Sequence, residues 1–244
     1  MEKEVVISIK NLHKSFGKNS ILKGVNLTVN KGEDLVILGR SGSGKSVSIK
    51  CLVGLVAADK GEIKVFGTDI TQLKSDDLNP IRKRIGFMFQ NGALYDSMSV
   101  RQNLTFTLKH HTKNLVEEEI EKQIIEALDN VGLKEAIDKM PSELSGGMQK
   151  RIALARTLII QPEIILYDEP TSGLDTITAR EISELILSVQ KKFKTTSIII
   201  THDMACAKIT GDRIMILNNG IIYAEGTYEE LEKSKDKWVR SFFV

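Results

Sequence analysis

The sequence predicts an α/β protein with a mainly parallel core sheet, an N-terminal antiparallel β layer and an inserted helical subdomain. Short apolar runs of strand length alternate with longer stretches of helical periodicity, which is typical of a sheet covered by helices. One of these runs leads directly into the pattern G-x-x-x-x-G-K-S at residues 39–46. Across residues 95–161 helical spacing replaces the strand pattern, so we expect an insertion into the α/β body there.

Composition and charge exclude several classes of protein. With 244 residues the chain is long enough for a sizeable core, and a net charge of +2 gives no strong basic field for nucleic acid. The longest apolar runs have strand length, and the N-terminus carries no leader pattern. Cys51 and Cys206 lie in apolar segments, so we expect small core residues in a reducing compartment. The sequence therefore predicts a soluble, cytosolic chain that needs another subunit to act across a membrane.

The predicted strands fall into two groups. Runs rich in Val and Ile predict the N-terminal antiparallel layer, at residues 4–9, 22–29 and 62–66. Runs that are apolar on both faces predict parallel core strands, at residues 34–38, 85–89, 164–167 and 196–200. Near the end, Asn218-Asn219-Gly220 separates the apolar runs 213–217 and 221–224, which predicts a β-hairpin.

Two helices are predicted within the insertion. Residues 116–131 have helical spacing and three acidic residues in the first turn, and residues 146–160 form a second helix that Pro162 ends. The tail at 237–244 is unusually aromatic. Packing against the protein's own core is favoured for this tail, with binding to a partner as the alternative.

The 39–46 pattern predicts a phosphate-binding loop because it follows a predicted strand and precedes a helix. Its glycines let backbone N–H groups surround phosphate oxygens, and the helix N-terminus adds a favourable dipole. We expect Lys45 to reach the β and γ phosphates of a nucleotide, and Ser46 to ligate Mg²⁺.

Polar side chains end three other predicted core strands. Asp168 is placed to hold Mg²⁺, and Glu169 to polarise an attacking water. His202 is a candidate hydrogen-bond donor to the γ-phosphate, although a lone histidine is more often structural. Gln90 is another such terminal group. Because ligands of open α/β sheets bind beyond the carboxyl ends of the strands, we expect these groups to lie near the loop.

Taken in chain order, these motifs resemble the ATP-binding subunit of ABC transporters. The set comprises the 39–46 loop, Gln90, Leu144-Ser145-Gly146-Gly147, Asp168-Glu169, Asp175 and His202. The resemblance covers nearly the whole chain and implies the P-loop NTPase fold of ABC ATPases, with ATP and Mg²⁺ as cofactors. It implies a single domain, 1–244, with a RecA-like body at about 1–94 and 162–226. The helical subdomain is then at about 95–161 and the tail at about 227–244.

The resemblance also implies a second ATPase subunit, either another copy or a paralogue. In the family, two subunits pack head to tail, and the Ser-Gly-Gly loop of one closes over ATP on the other. The residues implied to contact the partner's ATP are Ser145, Gly146, Gly147, Met148 and Asp175.

Further roles follow from the same resemblance. The ATP-binding residues it implies are Phe16, Gly39, Arg40, Ser41, Gly42, Ser43, Gly44, Lys45, Ser46 and Gln90. Phe16 falls where the family places an aromatic ring against adenine, although tyrosine is commoner there. Glu169 and His202 are implied to be catalytic, and Ser46, Gln90 and Asp168 to hold Mg²⁺.

Met148 and two short segments indicate a particular group within the family. The usual fifth signature residue is Gln, and Met148 cannot donate the same hydrogen bond. Met148, taken with residues 92–100 and 173–179, makes the sequence similar to the ATPases of MCE-type phospholipid transport systems such as the Mla system. Thr176 departs from that pattern, since many members have Pro there.

The MCE resemblance implies three kinds of partner and a location. The partners are the second ATPase subunit, membrane permease subunits and an MCE-domain protein, with no nucleic acid. The location is peripheral, on the cytoplasmic face of the inner or plasma membrane. Leu94 and Tyr95 are candidate exposed anchors for a permease helix, with burial in the helical lobe as the alternative.

Other functions stay open from the sequence alone. A transporter ATPase for another cargo, such as amino acids, lipoproteins or drugs, is the main alternative. A soluble ABC ATPase acting on ribosomes or DNA is disfavoured, because the chain has one cassette and a near-neutral charge.

Overall fold

The computed structural model describes residues 4–112 and 114–243. Its strands are β1 (Val5–Phe16), β2 (Asn19–Asn30), β3 (Asp34–Leu38), β4 (Lys60–Val65), β5 (Thr68–Asp69), β6 (Ile85–Met88), β7 (Ile164–Asp168), β8 (Thr196–Thr201), β9 (Arg213–Asn218) and β10 (Ile221–Gly226). Its helices are α1 (Lys45–Leu52), α2 (Asn79–Arg82), α3 (Val100–His111), α4 (Glu117–Asp129), α5 (Gly146–Leu158), α6 (Thr176–Phe193), α7 (Met204–Thr210), α8 (Tyr228–Glu232) and α9 (Lys237–Arg240).

The core sheet has six strands in the order β10-β9-β3-β8-β7-β6. Its pairs are parallel except for the β9–β10 hairpin, in which Asn219 and Gly220 take positive φ as the predicted turn requires. Strands β3, β7 and β8 are buried along their whole length, which explains their continuous apolar sequences. The carboxyl ends of these three neighbours therefore meet at one edge of the sheet.

The N-terminal layer is an antiparallel sheet in the order β2-β1-β4-β5. Its apolar side chains join those of the core sheet's near face in one cluster that includes Ile7, Val29 and Ile37. Strand β1 runs seven residues beyond the predicted end at Ile9. The pairing register shifts between Ile9 and Leu12, where Asn11 takes a positive φ of 50°, so this bulge hides the continuation from a simple alternating pattern.

Helices α3, α4 and α5 form the insertion, and their apolar faces share a cluster with the far face of the core sheet. Both predicted helices are slightly shorter than expected. Helix α5 ends at Leu158 because Gln161 takes a positive φ of 49° directly before Pro162. Helix α3, which the sequence did not single out, begins at a Ser99–Gln102 capping box.

The aromatic tail packs on the protein itself. Trp238 stacks edge-on against Tyr223 and Phe242, and Phe243 does the same against Tyr228. Trp238 and Phe242 join the cluster that holds the insertion helices. Within the described residues, no helix has the length and apolar character that a bilayer span requires.

Candidate nucleotide site

The 39–46 loop connects β3 to α1 and turns sharply at its end. Gly44 caps α1 with φ 107°, a conformation that side chains of L-residues rarely adopt. The Lys45 side chain is 6% exposed, and its ammonium donates to the carbonyls of Gly39 (2.7 Å) and Arg40 (3.3 Å). The Ser43 hydroxyl is buried and has no hydrogen-bond partner among the described residues. The loop thus presents a cation and an unused polar group at the edge of the sheet.

Ser46 and Asp168 meet across the sheet edge. The Ser46 hydroxyl donates to Asp168 Oδ1 at 2.7 Å, although 122 positions separate the two residues. Strands β3 and β7 both flank β8, so their parallel ends bring these side chains together. A hydroxyl and a carboxylate oxygen side by side form a donor set that suits Mg²⁺.

Glu169 lies at the centre of the site. Its Oε1 is 3.3 Å from the Lys45 ammonium, and its Oε2 is 2.7 Å from His202 Nδ1. The backbone N–H of His202 also donates to Oε2, at 3.3 Å. Glu169 has φ 51°, which is uncommon for any residue except glycine, and its N–H donates to the Ile200 carbonyl at 2.8 Å.

The His202 ring lies at the site, and its Nδ1 is hydrogen-bonded to the Glu169 carboxylate. Because a carboxylate only accepts, Nδ1 carries the proton of this hydrogen bond. In the neutral ring Nε2 is then an acceptor, so His202 could donate to a phosphate only as the imidazolium. In this structure the Nδ1 of His202 is thus bonded to Glu169, and the expected donation to a γ-phosphate stays a prediction.

The side chains of three residues expected at the nucleotide have little contact with the rest of the site. The Phe16 ring is 52% exposed, with the Lys14 ammonium 5.4 Å from its centroid. The Gln90 side chain is exposed and makes no hydrogen bond within residues 4–112 and 114–243, whereas its backbone carbonyl is bonded. Arg40 is exposed at the tip of the loop.

Lys150 is the site residue that sequence reasoning missed. It donates to the Gln90 carbonyl from helix α5, and it lies 3.4 Å from the Glu169 carbonyl. The available signal was its place on the buried face of α5, in line with Ala153 and Thr157. A lysine on a predicted core face needs buried acceptors, which indicates a site rather than a solvated surface.

The Ser-Gly-Gly loop forms the start of α5. Ser145 caps the helix, and its hydroxyl accepts from the Met148 N–H at 3.3 Å. A side chain at Gly147 would meet Thr178 at 2.6 Å, so α5 and α6 can approach only with glycine here. Asp175 caps α6 and accepts from the Thr178 hydroxyl at 2.6 Å. The two helix starts therefore form one surface, at which Ser145 and Asp175 are exposed.

Comparison with known proteins identifies the family. The profile of the family described as ABC transporter matches residues 22–172. The chain belongs to the ABC transporter family. It is an ATPase of the transport type, and it has the mixed α/β cassette fold, as predicted.

Relatives of this ABC ATPase are named for different cargoes. The probable ribonucleotide transport ATP-binding protein mkl of Mycobacterium leprae is 41% identical over 238 residues, which cover 98% of this chain and 68% of mkl. Protein TRIGALACTOSYLDIACYLGLYCEROL 3, chloroplastic, of Arabidopsis thaliana is 40% identical over 257 residues, covering 99% and 74%. The methionine import ATP-binding protein MetN of Rhizobium johnstonii is 40% identical over 223 residues, covering 91% of this chain and 61% of MetN.

A solved cassette gives the same fold. The dimeric ATP-binding cassette MJ0796, in a post-hydrolysis state bound to ADP and Pi, matches with a TM-score of 0.83 and 33% identity. The match covers 91% of this chain and 98% of that one.

The ABC ATPase also carries a groove between its body and its helical insertion. The groove encloses about 770 Å³, and its walls include Phe87, Phe89, Tyr95, Phe106, His110 and Arg156. The rings of Phe87 and Phe89 stack at 4.2 Å, and Tyr95 packs edge-on against Phe106 at 5.1 Å. The groove is therefore aromatic, with Arg156 among its lining residues.

The loop that borders the groove is held firmly. Buried Asn103 accepts from the Tyr95 N–H at 2.8 Å and donates to the carbonyls of Tyr95 and Met98. Tyr95 is 44% exposed, but Leu94 is half-buried against the insertion's core. Tyr95 is therefore exposed, as the anchor hypothesis requires, whereas Leu94 lies closer to the alternative of burial in the helical lobe.

Proposed function

We propose that this ABC ATPase is the motor of a membrane transporter that moves phospholipids together with an MCE-domain partner. The proposal is carried by residues 92–100, which with Met148 and residues 173–179 resemble MCE-type ATPases. The Arabidopsis relative bears the name of a glycerolipid, which supports a lipid cargo. The names of mkl and MetN support a second candidate, a transporter of ribonucleotides or amino acids.

ATP would bind across the 39–46 loop. The buried Ser43 hydroxyl and the N–H groups at the start of α1 can donate to phosphate oxygens. The Lys45 ammonium lies between two loop carbonyls and Glu169. Because the adjacent phosphates of ATP together carry more negative charge than the single Glu169 carboxylate, ATP would draw Lys45 towards itself and away from Glu169. The Glu169 carboxylate would then be available to accept a hydrogen bond from water.

Ser46 and Asp168 would hold Mg²⁺, since their adjacent oxygens are the hard donors that this ion prefers. When bound, Mg²⁺ supplies charge neutralisation at the β and γ phosphates. The exposed Gln90 side chain is free to turn towards the same edge.

Glu169 would orient and polarise the attacking water. Without ATP its carboxylate contacts Lys45 through one oxygen and His202 through the other. Once ATP draws Lys45 away, the His202 contact would keep the carboxylate in place. Replacing Glu169 with Gln should keep ATP binding but slow hydrolysis by roughly 10²- to 10⁴-fold, the usual contribution of a positioned base. Normal turnover by this variant would show that another group orients the water.

A second ATPase subunit would complete each ATP site. Ser145 and Gly146 are exposed at the start of α5, and no hydrogen bond within the described residues joins them to the 39–46 loop of the same chain. The half-buried Met148 side chain packs on the helical core, so Ser145 and the glycines would make the closest approach to the partner's ATP. The RecA-like body, the helical subdomain and the tail would act as one domain in each subunit.

The aromatic groove would receive a permease segment, which would place the ATPase peripherally at the cytoplasmic face of the membrane. Tyr95 is half-exposed on its wall and is held by Asn103, so it offers a rigid anchor. No nucleic-acid partner is proposed.

Cargo is tested by isolating the permease complex and reconstituting it in vesicles. Phospholipid, methionine and ribonucleotide are supplied in parallel, with the Glu169→Gln complex as the inactive control. Phospholipid movement that needs ATP and wild-type Glu169 is the expected result. ATP-driven movement of methionine or ribonucleotide without any phospholipid movement would overturn the lipid assignment.

A further inference from the structure

Lys150 is a buried lysine for which the reaction scheme above has no use. It lies in α5, and the residue is 7% exposed. Burial lowers the pKa of its ammonium, and attraction to Glu169 and Asp168 partly opposes this effect. A lysine kept charged in such a place needs acceptors for its three N–H groups.

Three acceptors surround the Lys150 ammonium, and they come from two different loops. One is the Gln90 carbonyl, in the loop that follows β6. The others are the Glu169 carbonyl at 3.4 Å and the Ser172 hydroxyl at 3.5 Å, both in the loop that follows β7. The number of acceptors matches the number of donors, and the ammonium joins α5 to both loops.

The contact with Glu169 falls on a residue of unusual backbone conformation. Glu169 has φ 51°, so neighbouring groups must hold its peptide in place. Its carbonyl also accepts from the Ser172 hydroxyl at 2.9 Å and from the Ser172 N–H at 3.2 Å. Lys150 therefore contributes to fixing the backbone from which the Glu169 carboxylate reaches Lys45 and His202.

We propose that Lys150 is a positioning residue that ties helix α5 and the Gln90 loop to the Glu169 backbone and thereby sets where the Glu169 carboxylate acts. This rests on the role proposed above for Glu169. The Gln90 loop continues into the wall of the aromatic groove, so a displacement of that wall reaches Glu169 through the Lys150 ammonium. Lys150 thus connects the proposed permease-binding surface to the hydrolytic group.

The test compares three variants of the full chain. Lys150→Met keeps the length of the side chain but removes all three donors. We expect kcat to fall by about 10²-fold with little change in KM for ATP, since a small misplacement of a reacting group costs roughly that much. Lys150→Gln retains two N–H donors and should restore part of kcat.

Arg151→Met is the matched control. Arg151 is the neighbouring cation on α5, but it donates to the Val131 carbonyl and to Glu181, neither of which belongs to the nucleotide loops. Its loss should affect stability more than kcat. A purely structural role for Lys150 would give the same pattern, with a lower unfolding temperature and an unchanged kcat per folded molecule.

The double variant Lys150→Met/Glu169→Gln decides whether Lys150 acts through Glu169. In single-turnover assays we expect it to be about as slow as Glu169→Gln alone, because coupled residues are not additive. The proposal would be overturned if Lys150→Met slowed the Glu169→Gln variant by the same factor as it slows the wild type. A normal kcat in Lys150→Met would also overturn it. If Lys150→Met fails to fold, the same comparison is made with Lys150→Gln. Normal turnover by Glu169→Gln alone would instead overturn the role of Glu169.

Discussion

Asp34, at the start of β3, gives the sharpest prediction about stability. It is 8% exposed, and its Oδ1 has no hydrogen-bond partner in the described structure. Burial raises the pKa of this carboxyl from the usual 3.8 to about 7, and the nearby Ser197 opposes this effect only in part. The negative charges of Asp212 and Glu33 raise it further, and the Tyr167 phenol also lies near.

The sign of the pH dependence follows from the direction of that shift. The folded protein keeps a proton on Asp34 that the unfolded chain releases near pH 4. Between about pH 4 and pH 7 the folded state binds more protons, so the free energy of unfolding falls as the pH rises. Above about pH 7 Asp34 is ionised in both the folded and the unfolded state. The free-energy cost of burying its charge is then constant.

Asp34→Asn should remove this cost. A pKa raised by about three pH units corresponds to about 4 kcal/mol, and we expect about 2–4 kcal/mol of added stability at pH 8, since the buried amide also lacks some partners. At pH 4 the variant should gain little. Urea unfolding at several pH values measures both effects.

Asp76→Asn is the control, because it removes an exposed carboxylate of the same chain. Its effect should be small at every pH. Equal stability of Asp34→Asn and wild type at pH 8, or an unchanged pH dependence, would show that Asp34 is ionised without penalty in the fold.

Three further changes test other parts of the account. Tyr95→Ala should weaken co-purification with the permease, because it removes the half-exposed anchor of the groove; undiminished recovery would place the contact elsewhere. Trp238→Ala should lower the unfolding free energy by about 2 kcal/mol, since the ring packs against Tyr223 and Phe242; no loss in urea unfolding would mean that the tail adds no stability. Asp168→Asn should raise the Mg²⁺ concentration for half-maximal hydrolysis by at least about tenfold, and an unaltered Mg²⁺ titration would exclude Asp168 as a ligand.

Sequence patterns predicted the layers of the fold well because each layer leaves a distinct signal. Strands buried on both faces, such as β7 and β8, read as continuous apolar runs, and the Asn-Asn-Gly turn marked the final hairpin. Helix α3 was not predicted because its buried face is small. Only Val100, Asn103, Leu104 and Leu108 are buried, and one of these is polar. The bulge at Asn11 hid the second half of β1 for a similar reason.

The meeting of side chains at the carboxyl ends of the strands was predictable, whereas contacts made through the backbone were not. Ser46 and Asp168 meet because parallel strands end together. The contacts of Lys150 depend on where the carbonyls of Gln90 and Glu169 point. The identity of a residue does not show the direction of its backbone carbonyl. The inward turn of Leu94 likewise depends on how Asn103 holds the neighbouring loop.

The central claim is that each ATP is held by the 39–46 loop of one subunit and the Ser-Gly-Gly loop of the other. Two variants test it. Lys45→Ala removes the cation proposed to contact the γ-phosphate, and Ser145→Arg should block close approach of the Ser-Gly-Gly loop. A mixed dimer of these variants, purified through two different tags, is loaded with ATP under non-hydrolysing conditions.

Occluded nucleotide is then counted per mixed dimer. If the sites are shared between subunits, one site carries both lesions and the other carries none, so one ATP is trapped. If each chain uses its own two loops, every site carries a lesion and no ATP is trapped. We predict one occluded ATP per mixed dimer, and a properly formed mixed dimer that traps none would contradict the account.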